Sequence, residues 1–135
     1  MSFESLGLTP ALLKALADQH FTTPTPIQLA AIPAILQKKD ILAIAKTGSG
    51  KTVSYVLPLI KNLDNAPAAK NRHINSLILV PTRELAEQIK GVLTTFTQHI
   101  TPAVKPLAVY GGSSINPQMI AMQGVSILVA TPGRL

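Results

Sequence analysis

Four short apolar runs, rich in β-branched residues, punctuate the chain at residues 41–45, 74–80, 107–110 and 125–130. None alternates with polar residues, which is the pattern of parallel strands covered on both faces. Between these runs the period changes. Leu85, Ile89, Val92, Leu93 and Phe96 fall on one helical face, with Thr82 as cap and Glu84 in the first turn. Residues 52–63 also read as helix, which Pro58 should kink or end early. A shorter helix is expected over residues 117–123. Upstream, Thr9-Pro10 and Thr25-Pro26 are cap and first-turn signals for two helical pieces. Leu8, Leu12 and Leu16 share a face of the first, and Pro33 interrupts the second. Residues 64–73 are polar and read as a surface loop. Strands alternating with helices in this order predict an α/β fold with a doubly wound parallel sheet.

The run at 41–45 leads straight into Ala45-Lys46-Thr47-Gly48-Ser49-Gly50-Lys51-Thr52. This has the form of a phosphate-binding loop between a strand and a helix. Gly48 and Gly50 let the backbone turn tightly and bring its N–H groups onto phosphate oxygens. Lys51 reaches the β- and γ-phosphates, and the Thr52 hydroxyl is placed for Mg2+. The helix that follows aims its partly positive N-terminus at the same anion. The full pattern opens with glycine, and here that place is Ala45. The bland alternative is a Gly-Ser-Gly surface turn carrying a solvated lysine.

Composition narrows the class further. With 47% hydrophobic and 13% charged residues over 135 positions, the chain is at most one domain with a folded core. Cysteine is absent, which leaves neither a disulfide framework nor a thiolate metal site and is compatible with a reducing, cytoplasmic setting. The three histidines have no metal-ligand spacing. No apolar run approaches membrane-spanning length, and residues 1–5 lack the features of a secretion signal. A net charge of +6 favours a polyanionic partner, although the lysines are scattered.

Ahead of the loop stands Phe21-Thr22-Thr23-Pro24-Thr25-Pro26-Ile27-Gln28, with Phe3 further upstream. A glutamine amide can pair with the N6 and N7 edge of adenine, and a phenylalanine ring can stack on the base. Equally, Gln28 reads as a helix-surface residue and Phe3 as a core anchor. The order of motifs adds to these readings. Phe3, Pro24 to Gln28, Ala45 to Thr52, Pro81-Thr82-Arg83-Glu84-Leu85-Ala86, Gly111-Gly112 and Thr131-Pro132-Gly133-Arg134 follow one another along the whole chain. This series resembles the DEAD-box RNA helicases, whose Q motif, motif I, motif Ia, GG motif and motif Ib come in the same order. Residues 1–8 and 114–119 look like the bacterial RhlE-type branch.

The resemblance implies a RecA-like fold, with residues 1–30 as the Q-motif region and 41–135 carrying the phosphate loop and the RNA-contact motifs. It implies that Phe3, Phe21 and Gln28 recognise the adenine of ATP. Thr47, Gly48, Ser49, Gly50, Lys51 and Thr52 hold its phosphates, with Lys51 and Thr52 catalytic and Thr52 on Mg2+. Pro81, Thr82, Arg83, Gly112, Thr131, Gly133 and Arg134 line the RNA path. Backbone amides and arginines in such a set grip the sugar-phosphate chain without reading bases. His20 stands where the family usually has glycine before the aromatic, and Lys46 where glutamine is common.

The sequence contains no Asp-Glu-Ala-Asp motif, whose carboxylates organise Mg2+ and the attacking water, and no second RecA-like domain with its arginine fingers. It therefore reads as the N-terminal part of a two-domain helicase, incomplete before the acidic strand and inactive in isolation. That strand is expected beside the phosphate-loop strand, so the piece should expose an apolar sheet edge and self-associate. Two other classes stay open from the residues themselves. One is a nucleotide- or RNA-binding module without catalysis, and the other a phosphate-loop enzyme such as a nucleotide kinase.

Overall fold

A computed structural model describes residues 2–64, 74–98, 104–111 and 125–134. The chain divides into two compact units, Met1–Asn65 and Ala66–Leu135.

The first unit is helical where it is regular. A 3-10 turn at Phe3–Leu6 buries Phe3 and Leu6 and closes on Gly7. Helix α1, Pro10–Asp18, starts where Thr9 Oγ1 accepts from the Leu12 N–H and buries Leu12, Ala15 and Leu16. Helix α2, Pro26–Leu36, packs along α3, Lys51–Asp64. Ala31 and Ile32 of α2 are buried, as are Val53, Val56, Leu57 and Ile60 of α3, an i, i+3, i+4, i+7 stripe.

Three expectations are corrected here. Pro33 does not interrupt α2, and Pro58 neither ends nor breaks α3, which runs on to Asp64. A proline inside a helix costs about 3 kcal/mol through its missing N–H and its ring. Pro58 is also among the fully buried side chains, between the buried Leu57 and Ile60, so apolar burial offsets that cost. The third concerns residues 41–45, which form no strand. Ile41, Leu42 and Ile44 are 43%, 87% and 84% exposed. An apolar, β-branched run has the side chains of a buried strand, but a strand exists only when a neighbouring backbone takes its N–H and C=O groups. No described strand pairs with this run.

The second unit contains the sheet. Strands β1 (Ser76–Leu79), β2 (Pro106–Val109) and β3 (Ile127–Ala130) are parallel in the order β1-β3-β2. Register aligns Leu79 with Ala130 and Val109 with Ala130, so all three strands finish level. Central β3 is buried throughout, as its unbroken apolar run predicts. Edge strand β1 is not: Leu77 and Leu79 are 48% and 54% exposed, and its burial alternates. The expected covering of both faces therefore fails for β1. Helix α4, Arg83–Thr97, joins β1 to β2 and lies against β2 and β3. Thr82 Oγ1 accepts from the Leu85 N–H, and Ala86, Ile89, Leu93, Phe96 and Thr97 are buried. Val109, Leu128 and Ala130 form a cluster against which Ile74 and Leu107 pack. The expected helix at 117–123 lies outside the described residues, as does the expected loop at 64–73 apart from Asp64, which instead ends α3.

Candidate nucleotide and nucleic-acid sites

In the first unit the sequence Thr-Pro-Ile-Gln builds a reciprocal cap at the start of α2. Thr25 Oγ1 accepts from the Gln28 N–H at 3.5 Å, and Gln28 Oε1 accepts from the Thr25 N–H at 2.9 Å. The rest of the amide is turned to the phosphate loop: Gln28 Nε2 donates to the Gly50 carbonyl at 3.3 Å. Gln28 is 1% exposed, so the helix-surface reading does not describe it. Phe3 is buried within its 3-10 turn, and Phe21 is half-buried.

The loop takes the backbone that its glycines allow. Gly48 and Gly50 have φ of 82° and 86°, a region closed to most side chains. The Ser49 N–H donates to the Lys46 carbonyl at 3.2 Å, closing the turn. A Cβ on Gly50 would collide with the Gln28 amide and lie 3.4 Å from Thr25 Oγ1, whereas one on Gly48 would meet nothing within 4 Å. Helix α3 begins at Lys51, whose ammonium donates to the Ala45 carbonyl at 2.6 Å. Ser49 Oγ is buried without a hydrogen-bond partner. An orphaned hydroxyl, a lysine bonded to its own loop and a helix start are donors suited to phosphate oxygens. The Thr52 side chain is half-buried, and its hydrogen bond with Tyr55 partly offsets the burial that raises the Tyr55 phenol above its ordinary 10.0. Beside the loop, an open and largely apolar cavity of 470 Å³ is bounded by the start of α2, Ile44, Ala45 and Ser49.

In the second unit the level strand ends bring three distant segments to one edge of the sheet. Pro81, Thr82 and Arg83 follow β1, Tyr110 and Gly111 follow β2, and Thr131 to Arg134 follow β3. Hydrogen bonds continue past the strands: the Val80 N–H donates to Ala130, and the Thr131 N–H to Val109. Ligands of open parallel sheets bind outside the carboxyl ends of the strands, which is this edge. Pro81, Thr82, Arg83 and Gly133 are exposed and Thr131 is half-buried. Gly112 lies outside the described residues. Arg134 falls in a 3-10 turn, Pro132–Arg134.

Two residues here were missed by the sequence reading. The Arg83 guanidinium lies over the Tyr110 ring, 5.1 Å from its centre, and the Tyr110 hydroxyl donates to Glu87 Oε1 at 2.6 Å. The Glu87 bond, then burial and carboxylate repulsion, hold the phenol above 10.0, with Arg83 opposing. The available signal was the i, i+4 spacing of Arg83 and Glu87 on one helix face.

The family model for DEAD/DEAH box helicases matches residues 25–135. The chain belongs to this family. It is 43% identical to the DEAD-box ATP-dependent RNA helicase RhpA of Helicobacter pylori (strain ATCC 700392 / 26695), covering 99% of this chain and 26% of that protein. It is 45% identical to the ATP-dependent RNA helicase DeaD of Escherichia coli (strain K12), covering 99% of this chain and 21% of that protein. Among solved structures, the RNA helicase Prp28 from Chaetomium thermophilum bound to ADP superposes with a TM-score of 0.88 at 40% identity, over 98% of this chain and 32% of that one. The chain thus spans about a fifth to a third of these relatives. The structural match gives this DEAD-box chain part of a RecA-like domain, as its motifs imply. The likeness to RhpA and DeaD is nearly equal, so the RhlE-type branch is not singled out. Family membership does not favour the nucleotide-kinase or non-catalytic readings. Among the described residues no helix is long and apolar enough to cross a membrane.

Proposed function

We propose that this chain is the ATP- and RNA-binding portion of an ATP-dependent RNA helicase of the cytoplasm. The observation that carries the reading is the contact of Gln28 with Gly50, which fastens the base-recognition motif to the phosphate loop. The relatives' names, and the ADP in the Prp28 structure, point the same way.

In this reading Gln28, with Phe3 and Phe21, selects adenine, while Thr47 to Gly50 present backbone N–H groups and the Ser49 hydroxyl to the phosphates. Lys51 exchanges the Ala45 carbonyl for a phosphate oxygen, and Thr52 holds Mg2+. Bound ATP with its Mg2+ supplies the phosphoanhydride whose cleavage drives the helicase cycle. Pro81, Thr82, Arg83, Gly112, Thr131, Gly133 and Arg134 hold RNA by its sugar-phosphate chain, independent of sequence. The exposed apolar residues Ile41, Leu42 and Ile44 support self-association of the 135-residue polypeptide. Sedimentation across a wide concentration range should show it, and a monomer at every concentration would refute it.

Calorimetry with ATP, ADP and GTP tests the nucleotide reading. Adenine nucleotides should bind in preference to GTP, and Gln28→Ala should lose the preference while keeping a cooperative melt. A folded chain giving no heat with either ATP or ADP would sink the proposal.

A further inference from the structure

Arg83, Glu87 and Tyr110 form a cluster that the sequence motifs do not specify as a unit. Arg83 opens α4 and Glu87 lies one turn on, while Tyr110 follows β2 at the same end of the sheet. Both helix residues are exposed, yet both are engaged by one ring: the guanidinium stands over its face and Glu87 Oε1 accepts from its hydroxyl. An exposed arginine ordinarily samples many rotamers. Holding the guanidinium over a ring narrows that set, and a guanidinium has five N–H donors, so those not engaged by the tyrosine remain to grip phosphate.

We infer that Tyr110 is a positioning residue for RNA: its ring, fixed by Glu87, holds Arg83 in the orientation that receives a phosphate of the sugar-phosphate chain. This rests on the reading of that sheet edge as the RNA surface. Tyr110 acts through Arg83, so its effect on binding should vanish when Arg83 is gone. A tyrosine that merely supported the fold would weaken binding equally with or without Arg83.

The test is fluorescence anisotropy of the full chain with a single-stranded uridine oligonucleotide, over a range of salt, beside a thermal melt of each variant. Arg83→Ala should weaken binding and flatten the log–log salt slope by about 0.7, one phosphate contact on a single strand. Tyr110→Leu should weaken binding about twofold to fivefold, the worth of an exposed cation–π contact. In the Arg83→Ala background it should add no further loss. Tyr110→Phe and Glu87→Gln, which keep the ring but remove or weaken its tether, should fall between wild type and Tyr110→Leu. If Tyr110→Leu fails to fold, these two variants decide, and wild-type binding by both overturns the inference. Equal losses in both backgrounds overturn it too, as does an Arg83→Ala that binds like wild type. A wild-type chain that melts cooperatively yet binds no RNA overturns the RNA reading itself, and the inference with it.

Discussion

Gln28 and Gly50, 22 residues apart, are mutually dependent: the amide of one donates to the carbonyl of the other, and there is no room for a side chain at Gly50. Two glycines of the same loop should therefore respond differently to alanine. Both pay for a left-handed backbone, about 1–2 kcal/mol. Only Gly50→Ala also displaces Gln28 and breaks the cap at Thr25. Urea unfolding should place Gly50→Ala below Gly48→Ala by a further ~1–3 kcal/mol, the cost of an unsatisfied buried polar group. Equal losses would show that Gln28 moves aside freely.

His20 is held at φ 64°, in the left-handed region. The family's usual glycine at this place suits that backbone, so histidine carries strain there. His20→Gly should raise stability by about 0.5–1 kcal/mol, the relief of strain less the entropy that glycine adds to the unfolded chain. A lowered melting temperature would contradict this.

Thr82 caps α4 through its hydroxyl, so Thr82→Ala should destabilise the chain by about 1 kcal/mol. Thr82→Ser keeps the oxygen and should restore most of the loss. Comparison of the two by denaturant melts separates capping from any part Thr82 plays at the nucleic-acid edge.

The two tyrosines should titrate late for different reasons. Burial raises Tyr55 above 10.0, while acceptance by Glu87 raises Tyr110. For a group whose folded value is raised, the stabilisation is complete below its unfolded value and fades as pH climbs through the folded one. The Tyr110–Glu87 bond should therefore be intact at neutral pH and lost only above about pH 10. Phenolate absorbance should show Glu87→Gln lowering one of the two transitions, leaving the other where Tyr110→Phe isolates it.

What the sequence made legible was local. Helix α4 follows from a cap and a repeat of Leu85, Ile89, Leu93 and Phe96, each within four residues of the next, and the structure buries Ile89, Leu93 and Phe96 and half-buries Leu85. The loop was legible because glycines at set spacing dictate a backbone. Residues 41–45 were misread because strand formation depends on a partner that side-chain pattern cannot supply. Pro58 was misread because apolar burial offset a local penalty, whereas Pro33 sits within α2 only half-buried. The bonds from Gln28 to Gly50 and from Tyr110 to Glu87 join residues more than 20 positions apart, with no periodic signal to announce them.

The position of β3 sets how damage should spread through the second unit. Its backbone is laced to both neighbours, and its side chains are sealed from water along their whole length. Loosening it would unmoor Arg83 on one flank and Tyr110 on the other at once, although neither belongs to it. Changes in the outer strands would be felt mostly at home. The middle strand is the hub whose failure disperses the whole gripping edge.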